Sequence, residues 1–544
     1  NYKRFVEKTN LKAGTYYLKV YVSSAHYLPV DYTLTSVSTP PSMANDAEPN
    51  DFFREAVGLP VNDSITGHIG YYANETTDRT DMYIVSVPED GVLRFDISKD
   101  PTACLQLLLF NENDTINALF DNGSCGYSTY KKYLEFKNAA PGNYYLKAFI
   151  DESDSYYGAY QIKCSHQPNN YQNDNEPNEF ISLSGTIPVN SVQTGHIGYT
   201  DGLTRDLTDW YSIDIPADGH LRIELEKEET ACLQMQLFST GDTLNSIADN
   251  GTCGYSTFKN YTEYHNLAPG TYYLKAFIKD NQTHYYGGYR LNCLFTPNPT
   301  ENDAEPNDFF SEAVGLPVND SITGHIGYTD GLLQDLTDWY SIDIPADGHL
   351  RIELEKEETA CLQMQLFTSA DTLNSITDNG TCGYSTYKNY TEYHNLAPGT
   401  YYLKAFIKDN QTHYYGGYRL NCLFTSNPIE NDTERNDFAS MALPIEMNDS
   451  VTGHLGYFYG DVTATSVEFT NGKRDNIDWY KIEVNQTGIL HFDVETESTL
   501  CANMRVYSAT DTVNSIADNG SCGYSTYKTW LEWYATPGLY YISV

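Results

Sequence analysis

The sequence predicts an all-β chain of tandem jelly-roll or β-sandwich domains in a beaded array. Three observations predict it: apolar and polar residues alternate with a period of two, such runs are short and bounded by Pro/Gly turns, and the pattern recurs along 544 residues. The recurrence is marked by "NDAEPND" at 45–51, "NDNEPNE" at 173–179, "NDAEPND" at 302–308 and "NDTERND" at 431–437, spaced by 128, 129 and 129 residues. Units of that length are domains rather than solenoid rungs. The expected organisation is 1–44 as the C-terminal part of a preceding repeat, then repeats at 45–172, 173–301 and 302–430, and 431–544 as a repeat lacking its last strand.

In "DWYSIDIPADGHLRIEL", Tyr211, Ile213, Ile215, Leu221, Ile223 and Leu225 fall on one face, and Ser212, Asp214, Arg222 and Glu224 on the other. That alternation describes two half-buried antiparallel strands joined at "PADG", where Pro216 and Gly219 supply the turn. "CLQMQLF", "TLNSIAD", "NYTEYHN", "TYYLKAFI" and "GGYRLNCLF" follow as further strands, and no 12-residue stretch carries a helical stripe. About eight short strands per repeat are what a sandwich needs. The connectors "SHQPNNYQ", "TPNPTE" and "TSNPIE" are short and mostly Pro-bearing, so the beads are expected to be closely strung. Residues 207–238 and 336–367 are identical, which argues for a repeated task rather than divided catalytic labour.

The 73 acidic against 33 basic residues give a net charge of -40. Phosphates and anionic headgroups are repelled by such a surface, so neither nucleic-acid binding nor membrane attraction is expected. A cation-dependent protein fits this charge; an acidic coat kept for solubility accounts for it equally. No run of 18 apolar residues is present, so no membrane insertion is expected. No initiator Met or apolar leader precedes Asn1, and the chain reads as a processed or excised product.

Each repeat holds two acidic phrases on either side of a "TGHIGY"-type strand. They offer Asp46, Glu48, Asn50, Asp51, Asp78 and Asp81 in the first repeat, and Asp174, Glu176, Asn178, Glu179, Asp206 and Asp209 in the second. The third offers Asp303, Glu305, Asn307, Asp308, Asp335 and Asp338, and the fourth Asp432, Glu434, Asn436, Asp437, Asp475 and Asp478. A hard cation takes six to eight oxygens from flexible segments, and two oxygen-rich loops at one end of a sandwich can supply them. The alternative is that these are solvated turn and linker residues.

The order "EPND", a G-x-I/L-x-Y strand, "DxxDWY", "PxDG", an LxLxLF strand and "PGTYYLKA" resembles the bacterial pre-peptidase C-terminal domain, a family that includes the collagen-binding modules of clostridial collagenases. The resemblance extends over all four repeats and the partial one. It implies a jelly-roll sandwich found on secreted proteins, with calcium held in some members by the acidic linker and the DxxD pair, the positions just named. Glu179 in place of the last Asp, Arg435 in place of Pro, Met82 in place of Trp, and 11 residues inserted between Gly456 and Tyr480 depart from the pattern.

The cysteines repeat in threes. The first begins a strand and the second follows the returning strand, so Cys104–Cys125, Cys232–Cys253, Cys361–Cys382 and Cys501–Cys522 are expected as disulfides. Buried reduced thiols are the alternative; zinc is disfavoured because no CxxC pair is present. Cys164, Cys293 and Cys422 lie on the last strand with no assigned partner. Asn62, Asn74, Asn113, Asn122, Asn250, Asn260, Asn281, Asn319, Asn379, Asn389, Asn410, Asn431, Asn448, Asn485 and Asn519 stand in Asn-x-Ser/Thr sequons, read either as a glycan-bearing exterior or as polar Asn-Gly bends.

Tyrosine clusters such as "HYYGGY" read as strand packing before they read as sugar or fibre contacts. His68, His196, His325 and His454 read as core or turn packing. With no HExxH, GxSxG, phosphate loop or Cys/His nucleophile constellation, a non-enzyme is expected. The first functional expectation is an extracellular or cell-surface structural and adhesive protein, a glycosylated, calcium-stiffened stalk or fibril. Two partial units at the chain ends fit either a window of a longer array or head-to-tail fibre formation with other copies by strand complementation. The alternative expectation is the accessory binding region of a secreted hydrolase, gripping collagen or polysaccharide as its extracellular polymer.

Overall fold

The structure, a computed structural model, describes residues 4–22, 31–73, 76–151, 155–201, 204–279, 284–408, 411–434, 436–458, 474–498 and 500–544. Asn74, Asn281, Asn410, Arg435 and most of the insertion before Tyr480 lie outside the described residues.

Residues 302–430 show the arrangement most fully. Their strands are β1 (Val314–Gly315), β2 (Asp320–Ile326), β3 (Thr337–Ile344), β4 (Gly348–Lys356), β5 (Gln363–Thr368), β6 (Thr377–Asp378), β7 (Tyr390–Leu396), β8 (Gly399–Phe406) and β9 (Gly416–Ser426). They make two sheets, ordered β1-β3-β8-β5-β6 and β2-β9-β4-β7. Short β1 runs parallel to β3; the long neighbours are antiparallel, with Tyr340 opposite Leu403 and Ile352 opposite Cys422. The alternation does the sorting: Leu350, Ile352 and Leu354 point inward while Arg351 and Glu353 stay half-buried or exposed. One core joins inner faces of both sheets, including Tyr340, Ile342, Leu366, Leu403, Tyr418, Leu420 and Phe424. Burying side chains of this size stabilises by roughly 1.5–3 kcal/mol each.

Repeats 45–172 and 173–301 carry the same strand order. The all-β expectation is thus met, with single 3-10 turns as the only helical elements among the described residues. Two compact units form, Asn1–Pro216 with Leu221–His265 and Pro269–Thr296, and Pro297–Val544 with Ala217–His220 and Asn266–Ala268. Inside the first unit, Thr200 bridges Ala139 and extends a sheet of the preceding repeat, and Asn138 Nδ2 donates to Thr200 Oγ1 at 2.8 Å.

Both incomplete repeats differ from the full ones. Residues 4–22 and 31–44 were expected to keep their strands but form none; a single bridge joins Leu11 to Tyr72, and Tyr17 is 97 % exposed. A strand whose partner sheet is absent has no ladder to join. In 431–544 the first sheet is present, whereas the described part of the second consists only of Gly488–Asp493 paired with Trp530–Ala535.

Cys104–Cys125, Cys232–Cys253, Cys361–Cys382 and Cys501–Cys522 are disulfides with Cα atoms 5.9–6.1 Å apart. Cys164, Cys293 and Cys422 are free and fully buried, and burial pushes their thiols up to about 12, 11 and 12. They behave as small core hydrophobes.

The sequons divide by burial. Asn62, Asn113, Asn260, Asn319, Asn389, Asn448 and Asn485 are exposed. Asn122, Asn250, Asn379 and Asn519 are at most 2 % exposed, which corrects their assignment as glycan acceptors. Asn379 Oδ1 accepts from the Met364 amide at 2.7 Å while its Nδ2 donates to Leu362 and Lys388 carbonyls, so no amide valence is left for a sugar. Asn122, Asn250 and Asn519 are bonded in the same way. The Asn-Gly bend is the correct reading here, with Gly380 at φ +87°. Asn431 is half-buried, and its Nδ2 donates to Asp347 at 3.0 Å.

Candidate metal centre

Each described acidic centre is assembled from a linker and the start of the strand equivalent to β3. In 302–430, ligating oxygens of Asp303, Glu305 and Asp338 lie within 4.8 Å of one another. Asp46, Glu48 and Asp81 do the same in the first repeat, and Asp174, Glu176 and Asp209 in the second. Two tyrosines hold the acids in place. Tyr340 Oη donates to Asp303, Tyr418 Oη donates to Asp338, and the two hydroxyls meet at 2.5 Å. Tyr83 with Tyr160 and Tyr211 with Tyr289 repeat this clamp. Asn307 Nδ2 donates to Asp303 Oδ2 at 2.8 Å, and its own amide N–H donates to Glu305.

The clamp consumes one oxygen of each acid and leaves the other. Buried Oδ1 atoms of Asp303, Asn307 and Asp338 have no hydrogen-bond partner; the same holds for Asp174, Asn178 and Asp209. It holds again for Asp46, Asn50, Asp78 and Asp81, and for Asp432, Asn436, Asp475 and Asp478. An orphaned buried acceptor is costly, and three or four convergent ones with negative charge fit a hard cation. The donor set is all oxygen, which suits calcium and not a thiolate- or imidazole-seeking metal.

Electrostatics point the same way. Asp335 is pushed up to about 8, first by burial and then by the charge of Glu305; Asp338 is raised still more by burial and by Asp335. Asp206 rises to about 8, Asp475 to about 8 and Asp478 to about 9 for the same reasons. Asp51 and Asp308 are exposed, and Glu179 and Asp437 are half-buried; they act on the buried pair through their charge. In the first repeat Lys12 Nζ sits 3.2 Å from Glu48 and 3.5 Å from Asp78. Asp78 rises there to about 7, through burial and Glu48, with Lys12 opposing.

The recurrent histidines were read as packing; their rings are joints between repeats. His196 Nδ1 meets Asp90 Oδ2 at 2.8 Å and its Nε2 meets the Tyr171 carbonyl at 2.6 Å. Two acceptors require two N–H donors, so the ring is an imidazolium. Burial opposes this charge, but the Asp90 hydrogen bond and charge raise the ring's pKa overall. In the second unit His325 pairs with Asp218 at 2.8 Å and His454 with Asp347 at 2.7 Å. The partner in each joint is the Asp of the preceding repeat's "PxDG" turn. Its recurrence in phase with the His was the available signal. His68 bonds the Met43 carbonyl at 2.6 Å.

The "Bacterial pre-peptidase C-terminal domain" family model matches residues 336–406, which contain β3 with Asp338, the Cys361–Cys382 disulfide and the clamp's first tyrosine, Tyr340. Collagenase ColA of Clostridium perfringens (strain 13 / Type A) is 26% identical over 247 residues, 44% of this chain and 21% of that protein. The chain therefore spans about a fifth of that curated relative's length. Among solved structures, the pre-peptidase C-terminal domain of a Bacillus anthracis collagenase is 24% identical, with 22% of this chain and 99% of that one covered and a TM-score of 0.17. Aeromonas hydrophila PliG, a periplasmic inhibitor of g-type lysozyme, is 14% identical, covering 21% of this chain and 96% of that one, with a TM-score of 0.16.

Proposed function

From tandem domains similar to the pre-peptidase C-terminal domain, we propose that this chain is the non-catalytic accessory binding region of an extracellular protein, gripping an extracellular polymer such as collagen. Similarity to a protein named collagenase, over a fifth of its length, supports this reading over a self-complementing stalk or fibre. Among the described residues, no helix is long and apolar enough to cross a membrane.

The observation that carries the mechanism is the set of orphaned Oδ1 atoms of Asp303, Asn307 and Asp338, two from a linker and one from β3. Calcium bound there supplies positive charge that keeps these carboxylates ionised. Asp303 and Asn307 then tie the linker to β3, and the His–Asp joints tie it to the repeat before. The polymer is thereby met by repeated domains in a limited range of spacings, which favours multivalent binding.

The test is retention of the intact chain on insoluble collagen and on insoluble polysaccharides, in calcium and in EDTA. Retention on collagen that weakens in EDTA is expected. Loss of binding to every polymer in calcium ends the binding reading, and collagen retention unchanged in EDTA removes calcium from it.

A further inference from the structure

On the outer face of the second sheet of 302–430, two histidines and a glutamate converge. His349 stands on β4 where the register against β7 shifts, between Gly348 and Leu350. Glu392 and His394 stand two apart on β7 and so share that face. Their ligating atoms and that of His349 lie within 4.8 Å of one another. The two imidazoles stack, with centroids 4.2 Å apart and planes at 20°, and His349 Nε2 is 3.9 Å from Glu392 Oε2. His349 Nε2 is buried and has no hydrogen-bond partner. A neutral imidazole nitrogen shut away from water beside a second imidazole and a carboxylate gains most from a metal ion.

We propose that His349, Glu392 and His394 bind a zinc-class divalent ion, with a fourth position open to water or to a donor from outside. Two nitrogens and one carboxylate are a three-ligand zinc set, unlike the all-oxygen centres at the linkers. Ligands around tetrahedral zinc are about 3.3 Å apart for bonds of about 2.0–2.1 Å. His394 is exposed and free to close the remaining gap. Arg351 Nη1 donates to the same Glu392 Oε2 at 3.1 Å and fixes where that carboxylate stands.

The other repeats separate the glutamate from the histidines. Glu135, Glu263, Glu392 and Glu532 occupy one position of the repeat, and Arg94 and Arg222 pair with the first two as Arg351 does with the third. The glutamate therefore has a structural reason in these three, and in the fourth Glu532 meets His491 Nδ1 at 3.0 Å. The histidines do not: Val92 with Lys137, and Ile489 with Tyr534, stand in their places in the outer repeats. The sequence of the second repeat carries His220, Glu263 and His265 at the matching positions.

The intact chain, with its acidic centres filled by excess calcium, is titrated with zinc chloride by calorimetry and with Co²⁺ by visible absorption. Saturable zinc binding at micromolar concentration or below is expected, with ligand-field bands from Co²⁺. H394A and H349A should each remove one equivalent of zinc or weaken it at least tenfold, while E355Q on the same strand, whose carboxylate accepts from Asn421, leaves the titration unchanged. H394A alters an exposed residue, and its metal-free melting should match the parent. Zinc binding that both histidine variants leave intact, or no binding below millimolar zinc, overturns the proposal.

Discussion

Residues 320–326 read DSITGHI and residues 449–455 read DSVTGHL, yet only the first is a strand. DSITGHI is β2, laddered along β9 from Asp320 opposite Cys422 to Ile326 opposite Gly416. Among the described residues DSVTGHL pairs with no strand, and Val451 is left 44 % exposed. Local propensity is nearly equal, so the partner makes the strand. What does not depend on β9 persists. His454 still meets its aspartate at 2.7 Å, as His325 does at 2.8 Å, and the Asp432, Asn436 and Asp478 oxygens remain buried and orphaned. The clamp is halved, with Tyr480 on Asp432 and no counterpart of Tyr418. Joint and acidic centre therefore persist where the β2–β9 ladder does not form.

The largest effect should come from supplying that ladder. Appending the sequence of residues 406–426 after Val544 offers a strand whose counterpart buries Tyr418, Leu420, Cys422 and Phe424. Net of ordering the added chain, stabilisation of the last repeat on the order of 5 kcal/mol is expected. Amide exchange at 450–456 should slow by orders of magnitude. Fast exchange there in the extended protein would show that something other than the missing strand unravels DSVTGHL.

The same contrast explains what could be read from residues alone. Period-two alternation made β3, β4 and β8 legible, and the spacing of Cys361 and Cys382 around one hairpin made their bond legible. The acidic positions could be named because they recur, but their holding device could not. Tyr340 and Tyr418 look like core tyrosines in sequence, and their hydroxyls reach Asp303 and Asp338 only because two sheets bring them together. His196 and Asp90 are 106 residues apart and belong to different repeats, beyond any local pattern. The sequons at Asn379 and Asn389 look equivalent as strings. Only the loop that returns over Asn379 distinguishes them.

A second, smaller effect concerns what the two repeats share. Asp335 and Asp475 both sit at about 8, with Asp338 well above the ordinary range and Asp478 at about 9, burial being the first cause and neighbouring acids the next. Each binds its proton more tightly folded than unfolded. Their contribution to stability is full below about pH 4 and is lost as pH rises through 8 to 9. Without metal, melting temperature should fall steadily from pH 5 to pH 9. In excess calcium the acids are held ionised, and the fall should vanish or reverse. Melts in EDTA and in calcium across this range check both halves. A metal-free melting temperature that is flat or rises with pH would mean these acids are not crowded as described.

The smallest effect is the most local, a matched pair of glycine substitutions at one position of the two repeats. A Cβ on Gly324 would stand 2.6 Å from Tyr418 Oη and 2.9 Å from Tyr340 Oη. One on Gly453 would meet Tyr480 Oη at 3.0 Å and Asp478 Oδ2 at 3.2 Å, with no second tyrosine beyond. Tyr418, held by both Asp338 and Tyr340, has less room to retreat than Tyr480, whose hydroxyl meets Asp432 with no tyrosine behind it. Gly324→Ala should therefore cost about 1–3 kcal/mol, as overpacking in a closed core does, and Gly453→Ala under about 1 kcal/mol. The difference should also appear in calcium affinity, because displacing Tyr418 disturbs both Asp338 and Tyr340, whereas displacing Tyr480 disturbs Asp432 with no second tyrosine behind it. Equal costs at the two sites would mean that the glycine serves the strand backbone rather than the tyrosine clamp.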